Sequence, residues 1–368
     1  MSSRNGGGHN AVSKAVSECF EAHGHQCEVK EDLSFICRAA PGAAALFHNS
    51  MYKYAPRLFG YCFQKSENRS GIMSEGTLAR GIVDLGRFSL ARHIRSGGFD
   101  IVISAHVFGG MMMTAVKKRY GLTARTAIIE TDHLNTPGSS EIDMDLHFLP
   151  DASLVKKLTG AGIDEKKLIV SGIPVRREIV SRVPKAEAKK RLELDAGRKH
   201  ILIGGGYMGC GPIPQITGLL LEKAGGTAQI SVVCAGNERL RKKLSAKYSG
   251  VPDIHIHGLA ADVSLLYDSA DVFITKPGGA STAEAAVKGL PMVLIHAVKG
   301  PETHNLDFFT SSGCALTGET TEELCGRCMD ILGNPELSER MSRSLLDIAR
   351  PGAAETVYRE ISALFPSD

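Results

Sequence analysis

The sequence lacks several features that would place the protein in a membrane or outside the cell. No stretch approaches the roughly 18 consecutive apolar residues of a transmembrane helix, and MSSRNGGGHN at the N-terminus has no apolar signal core. There is no tryptophan, and the nine cysteines form a scattered set typical of reduced cytosolic thiols. One C-x-x-C pair, Cys325 and Cys328, has no second pair, so we expect no metal or redox site there. These absences predict a cytoplasmic protein.

Charge is distributed unevenly along the chain. The net charge is +3, but residues 38–96 carry nine basic residues against three acidic ones, a local balance of +6. This basic-aromatic segment is also rich in Phe, Tyr, Met and Leu. Such a mixture is typical of helices in a membrane interface, and it fits equally well an amphipathic helix packed on its own domain. The basic residues are Arg38, Lys53, Arg57, Lys65, Arg69, Arg80, Arg87, Arg92 and Arg95, and the acidic ones are Glu67, Glu75 and Asp84.

Short apolar runs alternate with helical periods over most of the 368 residues, which predicts an α/β protein with two doubly wound parallel sheets facing each other across a central cleft. We predict an N-terminal domain at 1–180, a C-terminal domain at 198–350, and a helix at 351–368 that crosses back to the N-terminal domain. Strands are predicted at 27–29, 100–104, 126–130, 146–149 and 168–170, and a second series begins with HILIGGGYMG at 200–209.

The first glycine-rich turn, RNGGGHN, should follow an apolar strand, yet only Met1, Ser2 and Ser3 precede it. Such a strand would lie near the middle of a doubly wound sheet. We therefore expect either that the start codon has been assigned too late or that the protein begins abnormally.

Polar side chains cluster at predicted strand ends in the N-terminal half. RNGGGHN places three glycines and His9 at a helix N-terminus, where free N–H groups and the helix dipole favour an anion. A tight turn with a capping histidine is the alternative interpretation. SAHVF and ETDHL place His106, Asp132 and His133 at the ends of two strands. Because the carboxyl ends of parallel strands share one edge of the sheet, these residues predict a site there.

The C-terminal half carries a more specific pattern. In TKPGGASTAEA, a Pro-Gly-Gly turn follows a strand, and Ser281 and Thr282 begin a helix. The helix N-terminus and the two hydroxyl groups predict a diphosphate site. Glu284 lies one turn into the helix, where a carboxylate can accept two vicinal ribose hydroxyls. The simpler interpretation is that Glu284 is an acid favoured by the helix dipole.

Two more loops in this half support the same site. GGGYMGCGP at 204–212 is a second glycine-rich loop after a strand, and two such loops are much stronger evidence than one. GPETHN at 300–305 follows the next strand, so we expect Glu302 and Asn305 to reach sugar hydroxyls from the same edge.

These motifs together resemble the monogalactosyldiacylglycerol synthase and diacylglycerol glucosyltransferase family, within glycosyltransferase family 28. The matching stretches include GGGHNAVSKAV, YAPRLFGYCFQ, DIVISAHVF, ETD, LPDASLVKKLTGAGIDEKKLIVSGIPVRREI, ILIGGGYMGCGP, SADVFITKPGGASTAEAAVKGLPMVLI and GPETHN, in the expected order over roughly residues 5 to 310. The resemblance implies a GT-B fold, a UDP-hexose donor held by the C-terminal domain, a lipid acceptor, inversion at the anomeric carbon and no essential metal. Relatives commonly carry a histidine and a tryptophan near the acceptor, so the acceptor is less well defined here than the donor.

We expect a single displacement in which His9 or Asp132 takes the acceptor proton, with His9 favoured because an unperturbed imidazole titrates near working pH. Glu284 would fix the ribose, and the helix N-terminus would stabilise the leaving UDP in place of a metal. The predicted donor-binding residues are Gly205, Gly206, Gly258, Pro277, Gly278, Gly279, Ser281, Thr282, Glu284, Glu302 and Asn305. The acceptor-side candidates are Gly8, Asn10, His106 and His133.

The expected substrates are UDP-glucose or UDP-galactose and diacylglycerol or a similar lipid, with no cofactor, metal or nucleic acid. The basic-aromatic segment would dock on the anionic inner face of the cell membrane. Two alternatives stay open. One is an enzyme of the same fold with another acceptor or with UDP-sugar epimerase activity. The other is a catalytically impaired protein that binds membranes or senses nucleotides.

Overall fold

A computed structural model describes residues 1–3, 7–67, 71–74, 76–206, 211–259, 262–295 and 300–366, without the side chains at positions 52, 53 and 56. The chain forms two compact units. Unit 1 comprises Met1–Arg176, Val298–His304 and Arg350–Asp368, and unit 2 comprises Arg177–Ala297 and Asn305–Ala349. The polar stretch PKAEAKKRLEL belongs to unit 2 in this division.

Unit 1 contains one parallel sheet in the order β1-β2-β3-β4. Its strands are rich in buried Ile, Val, Leu and Phe, as expected for a sheet covered on both faces. The strands are β1 (Ile101–Ser104), β2 (Arg125–Ile129), β3 (Leu146–Leu149) and β4 (Leu168–Val170). The helices are α1 (Gly7–Ala22), α2 (Ala40–Tyr54), α3 (Pro56–Glu67), α4 (Leu78–Gly97), α5 (Val107–Tyr120) and α6 (Ser153–Gly160), with short 3₁₀ turns at Asp32–Phe35, Ser139–Glu141 and Glu165–Lys167.

Met1–Ser3 lie beside β1. The α-ammonium of Met1 donates to the carbonyl of Ile103, the Ala105 N–H donates to Met1 at 3.0 Å, and Ser2 forms a parallel bridge with Glu31. The strand predicted at 27–29 is wrong, because residues 25–30 form no strand and the described pairing here is a single bridge between Ser2 and Glu31. The bridge places the residue after Glu31 beside the end of β1.

Unit 2 contains a six-stranded parallel sheet in the order β10-β9-β8-β5-β6-β7. The order reverses between β5 and β8, which makes their carboxyl ends the topological switch point of the sheet. The strands are β5 (Lys199–Gly204), β6 (Ala228–Val233), β7 (Ile254–His257), β8 (Val272–Thr275), β9 (Met292–Ile295) and β10 (Ala315–Gly318). The helices are α7 (Arg177–Val180), α8 (Lys185–Arg191), α9 (Ile213–Ala224), α10 (Glu238–Lys247), α11 (Val263–Ser269), α12 (Gly279–Lys288), α14 (Thr321–Gly333) and α15 (Pro335–Ile348). Helix α13 (Pro301–Ser311) is divided, with its residues up to His304 in unit 1 and the rest in unit 2.

The last helix, α16 (Ala353–Ser362), groups with unit 1, where it packs against α1. In unit 2, the C-x-x-C pair lies on α14 inside the core under the sheet. Burial raises the pKa of the thiols of Cys325 and Cys328 above their ordinary values. In the described part of the chain, no helix is both long enough and apolar enough to cross a bilayer.

Candidate active site

His9 lies in the first turn of α1, beside the end of β1. Its Nδ1 is 2.7 Å from the carbonyl oxygen of Ala105. Because a carbonyl oxygen only accepts hydrogen bonds, Nδ1 carries the ring proton and the lone pair is on Nε2. The backbone therefore selects the tautomer in which Nε2 acts as a base.

A second imidazole and a buried carboxylate adjoin His9. Nδ1 of His106 is 2.5 Å from Oδ2 of Asp32, whose side chain is 1% exposed. The rings of His9 and His106 meet edge to face, with centroids 4.8 Å apart. Burial alone would raise the pKa of Asp32, but attraction to His106 and hydrogen bonds from His106 and the Leu33 N–H hold it below its ordinary value. Asp32 thus fixes the orientation of the ring next to the candidate base.

The pKa of His9 is lowered to about 4, chiefly by burial and then by repulsion from His106. Attraction to Asp132 and Asp32 and the hydrogen bond to Ala105 oppose this shift. The expectation of an unperturbed imidazole is therefore wrong. The ring is therefore neutral at physiological pH and its lone pair can accept a proton, but the lowered pKa makes it a weaker base than an unshifted imidazole.

Asp132 follows β2 and is linked to His9 through a threonine. The hydroxyl of Thr131 is 3.3 Å from Oδ2 of Asp132 and 3.3 Å from Nδ1 of His9. The structure thus brings both predicted base candidates, together with His106, to the carboxyl edge of the sheet in unit 1.

The residues flanking Asp132 are held by other partners. Nδ1 of His133 is 2.7 Å from Oδ2 of Asp151, so this ring fastens the loop after β2 to the end of β3. The buried carboxylate of Glu130 accepts hydrogen bonds from Ser139 at 2.6 Å and Thr136 at 2.9 Å. Burial nevertheless raises the pKa of Glu130 to about 7.

The two other acceptor-side candidates lie in the first turn of α1. Gly8 is half-buried, and its N–H precedes the first complete helical turn, as do those of the residues beside it. Asn10 is exposed, and its Oδ1 accepts a hydrogen bond from Ser2 at 2.5 Å. Asn10 therefore fastens the start of α1 to the segment beside β1. Arg4, Asn5 and Gly6 of the predicted turn lie outside the described residues.

In unit 2, the two glycine-rich segments meet at the switch point of the sheet. Gly205 and Gly206 follow β5, and Gly206 has φ +65°, in the left-handed region that favours glycine. A Cβ at Gly206 would lie 3.2 Å from Cε of Lys276, which follows the neighbouring strand β8. The backbone after β5 thus passes close to a cation at the place where doubly wound sheets bind ligands. Residues 207–210 of the predicted loop lie outside the described part.

The Pro-Gly-Gly turn leads directly into α12. Gly278 is the N-cap residue, and the first helical hydrogen bond runs from the Thr282 N–H to the Gly278 carbonyl at 3.1 Å. The N–H groups of Gly279, Ala280 and Ser281 come before that bond, so they have no acceptor within the helix and point out of its N-terminus. Such an array binds phosphate groups.

Two residues of the predicted site in this region have hydrogen-bond partners within the protein. The Thr282 hydroxyl donates to the carbonyls of Gly278 and Gly279, and the residue is fully buried, so its hydroxyl is not presented at the helix N-terminus. Asn305 is also fully buried, and its Nδ2 donates to the carbonyl of Pro277 at 2.9 Å. Asn305 therefore holds the turn before α12, and its contact with a sugar stays a prediction.

Glu284 lies in the second turn of α12, buried, with its Oε2 3.2 Å from the hydroxyl of Tyr267. Gly258 follows β7, and a Cβ there would lie 3.1 Å from Cδ of Arg241. At about 4.8 Å per strand, β7 is roughly 10 Å from β5, a distance that a nucleotide can span. Glu302 is half-buried in the first turn of α13 and groups with unit 1, so its role toward a sugar stays a prediction.

Two residues of these sites were absent from the sequence-based candidates. Asp32 follows the bridge at Glu31, and Lys276 follows β8. Both are polar residues directly after an extended segment, which is the signal that identified His106 and Asp132. Asp32 was missed because its segment was assigned to 27–29, too early in the chain.

Comparison with known proteins gives a consistent result. The Monogalactosyldiacylglycerol (MGDG) synthase family matches residues 9–175. Monogalactosyldiacylglycerol synthase 1 of Arabidopsis thaliana is 28% identical over 291 residues, which cover 75% of this chain and 54% of that protein. The processive diacylglycerol beta-glucosyltransferase of Bacillus subtilis is 25% identical over 264 residues, covering 71% of this chain and 68% of that protein. This chain thus matches about half the length of its Arabidopsis relative.

Solved structures support the fold. UDP-GlcNAc 2-epimerase from Neisseria meningitidis has a TM-score of 0.61 at 15% identity, covering 97% of both chains. Spinosyn rhamnosyltransferase SpnG has a TM-score of 0.60 at 11% identity, covering 98% of both chains. The predicted GT-B class is confirmed. The chain is thus similar in sequence to the monogalactosyldiacylglycerol synthase and diacylglycerol glucosyltransferase family, and its fold is of the GT-B class.

Proposed function

We propose that this protein is an inverting glycosyltransferase that moves glucose or galactose from a UDP-sugar to the free hydroxyl of diacylglycerol. The observation that carries the proposal is that one chain has both a neutral, backbone-oriented imidazole at the sheet edge of unit 1 and a glycine-led helix N-terminus at the switch point of unit 2. The first suits deprotonation of an alcohol, and the second suits a nucleotide diphosphate.

The donor site neutralises the diphosphate with protein groups. The N–H groups at the start of α12 and the ammonium of Lys276 lie on the same strand-to-helix connection. As the bond to the sugar breaks, negative charge grows on the leaving phosphate oxygen, and these donors stabilise that charge. Glu284 then accepts the ribose hydroxyls, with its second contact to Tyr267 fixing the carboxylate.

The acceptor is activated in unit 1. Nε2 of His9 takes the proton of the diacylglycerol hydroxyl while that oxygen forms a bond to the anomeric carbon. The bond from the anomeric carbon to the diphosphate breaks with its electron pair leaving on UDP. One displacement of this kind inverts the configuration. Asp132 lowers the energy of the imidazolium that results, because its charge favours the protonated ring.

The basic-aromatic segment supports a lipid acceptor. On α4, Val83, Leu90 and Ile94 are buried in the core, as the packed-helix interpretation expects. Large apolar side chains are nevertheless exposed across α2, α3 and α4, with exposed Arg57, Lys65 and Arg92 among them. Soluble monomeric proteins rarely expose so many large apolar side chains to solvent. Apolar side chains mixed with cations are suited to binding an anionic bilayer. The exposed apolar residues are Leu46, Phe47, Tyr54, Leu58, Tyr61, Leu78, Leu85 and Phe88.

This surface leads us to propose peripheral binding to the inner face of the cell membrane. The test is product analysis after incubation of the protein with UDP-glucose or UDP-galactose and diacylglycerol in anionic vesicles. A glycosyldiacylglycerol with inverted anomeric configuration is the expected product. An isomerised UDP-sugar without glycolipid would instead identify an epimerase, and UDP binding without either product would identify a nucleotide-sensing protein.

A further inference from the structure

A cysteine, a histidine and a glutamate converge where α1 and α16 pack together in unit 1. The potential ligand atoms of Cys19, His23 and Glu355 all lie within 4.8 Å of one another. Nε2 of His23 is 3.6 Å from Oε2 of Glu355. Within the ranges that the structure describes, this Cys19 cluster is the one group of three or more such side chains with this geometry.

The imidazole of the Cys19 cluster is already oriented for a ligand. Nδ1 of His23 is 2.9 Å from the carbonyl oxygen of Cys19, so Nδ1 carries the proton and Nε2 has the lone pair that faces Glu355. The ring stacks on Tyr358, with centroids 3.8 Å apart and an angle of 19° between the planes. Histidine ligands of metals are commonly fixed in this way, with the second ring nitrogen donating to a carbonyl.

We propose that the Cys19 cluster binds a divalent transition-metal ion, and that its ligand set selects Zn²⁺. Thiolate sulfur, imidazole nitrogen and carboxylate oxygen are the protein ligands of zinc, and a water molecule would complete a tetrahedron. Zinc–ligand bonds of about 2.0–2.3 Å place neighbouring ligand atoms roughly 3.3–3.7 Å apart. The separation of the nitrogen and oxygen in the cluster matches that geometry.

The ion would have a structural role. Cys19 follows His9 by ten residues on α1, which is about 15 Å along a helix axis, so the ion would not contact the acceptor hydroxyl. It would instead join the first helix of unit 1 to the helix near the end of the chain. Glu355 is on the exposed side of this junction, which gives the ion a path of entry.

Metal binding must displace a proton. A free cysteine thiol is mostly protonated at neutral pH, whereas the thiolate is the form that binds a metal. A metal ion replaces that proton between sulfur and carboxylate, and the affinity therefore increases as the pH rises.

The test titrates the full-length, metal-free protein with Co²⁺ and follows the absorption band of thiolate-to-cobalt charge transfer, then displaces Co²⁺ with Zn²⁺. We expect one equivalent of metal, a band that Zn²⁺ abolishes, and a rise in melting temperature with Zn²⁺. Cys19→Ala should abolish the band, and His23→Ala and Glu355→Gln should weaken binding by more than about tenfold. Because Glu355 is exposed, its substitution keeps the test valid even if Cys19→Ala does not fold.

Two control variants complete the design. Cys27→Ala removes an exposed thiol four residues after His23, and His25→Ala removes a ring that also contacts Tyr358. Both variants should bind metal like the wild type. The proposal is overturned if the wild type shows no saturable binding, or if the band survives Cys19→Ala and is lost in Cys27→Ala. Unchanged affinity in Glu355→Gln together with an unchanged band would overturn it as well.

Discussion

Among single residues, His9 gives the most direct test, because its imidazole is the proposed base and its loss should lower turnover measurably. We expect His9→Ala to lower kcat by about 10²–10⁴-fold, because the proton of the acceptor hydroxyl loses its base. UDP affinity should stay unchanged, since the proposed role of His9 is toward the acceptor and the proposed nucleotide site is in unit 2. Initial rates at saturating donor and calorimetry with UDP check both parts.

The matched control for His9→Ala is Lys14→Ala, an exposed change on the same helix, which should keep wild-type turnover. A loss of less than about tenfold on removing His9 would make Asp132 the leading candidate for the base.

The lowered pKa of His9 predicts an unusual pH profile. The ring is the active base when it is neutral, so kcat/KM should be constant from neutral pH down to about 5 and fall only as the pH passes through about 4. An unshifted imidazole would lose activity near pH 6.5. Rates measured on vesicles of constant composition between pH 4 and 8 distinguish the two, and an acid limb near 6.5 would refute the buried geometry.

Glu284 and Thr282 lie on the same helix, and we expect opposite effects on UDP affinity from their substitution. Glu284→Ala should weaken UDP binding by about 1.5–3 kcal/mol, the scale of a charge-assisted hydrogen-bond pair. Thr282→Val should leave UDP affinity nearly unchanged, because its hydroxyl donates inside the helix. Calorimetry on both folded variants is the measurement. Equal affinities for UDP in the Glu284 variant and the wild type would show that Glu284 does not bind the ribose.

The sequence predicted the location of a residue well where that residue directly follows a strand or begins a helix. The strand-end rule located His106 and Asp132, and the N-terminus of α12 was visible in its glycines. The sequence did not reveal the internal hydrogen bonds of Thr282 and Asn305, because which carbonyl a buried hydroxyl or amide meets depends on the neighbouring turn and not on sequence spacing.

At the scale of elements, α3 offers the clearest test of membrane docking. Leu58 and Tyr61 are 52% and 62% exposed on that helix. Changing both to Ser should weaken binding to anionic vesicles by at least about tenfold, because their apolar surface would no longer be buried in the interface. Cosedimentation at several salt concentrations checks this, and wild-type binding should fall as salt screens the cations.

Leu346→Ser, at an exposed apolar residue of α15 in unit 2, is the control and should bind vesicles like the wild type. Equal binding by the α3 variant, or binding insensitive to salt, would favour the interpretation of these helices as packed structure alone.

Strands were predictable where apolar, β-branched runs are buried on both sides. The runs DIVIS and TAIIE became β1 and β2 within one residue at each end. The prediction of a strand at 27–29 failed because the described pairing in this region is a single bridge at Glu31. The composition of one segment does not determine which residues a neighbouring segment pairs with.

At the scale of the whole molecule, Glu130 links stability to pH. Its pKa is about 7 in the folded chain and about 4.5 when unfolded, so the folded state favours the protonated carboxyl. The free energy of unfolding should therefore contain a contribution that is complete below pH 4.5 and is lost as the pH rises through 7, by up to about 3 kcal/mol. Urea titrations at pH 5 and 7.5 measure it.

Glu130→Gln should flatten that dependence, whereas the exposed change Glu165→Gln should preserve it. The same slope in all three proteins would show that other groups cause the pH dependence.

The overall architecture was the most predictable level. Two series of alternating strands and helices, each with glycines at the strand ends, predicted the doubly wound fold class. The order of strands in unit 2, and with it the switch point, comes only from the structure, because pairing between β5 and β8 joins segments far apart in the chain.

The bond from Asn305 to the Pro277 carbonyl has a consequence for affinity. It holds the turn before α12 through a bond within the protein, so this part of the proposed UDP site would not depend on the ligand for its conformation. A site that is rigid in advance loses less entropy on binding than one that must close around its ligand. In the proposed donor site, a buried amide that bonds the turn would therefore contribute to how tightly the nucleotide is held.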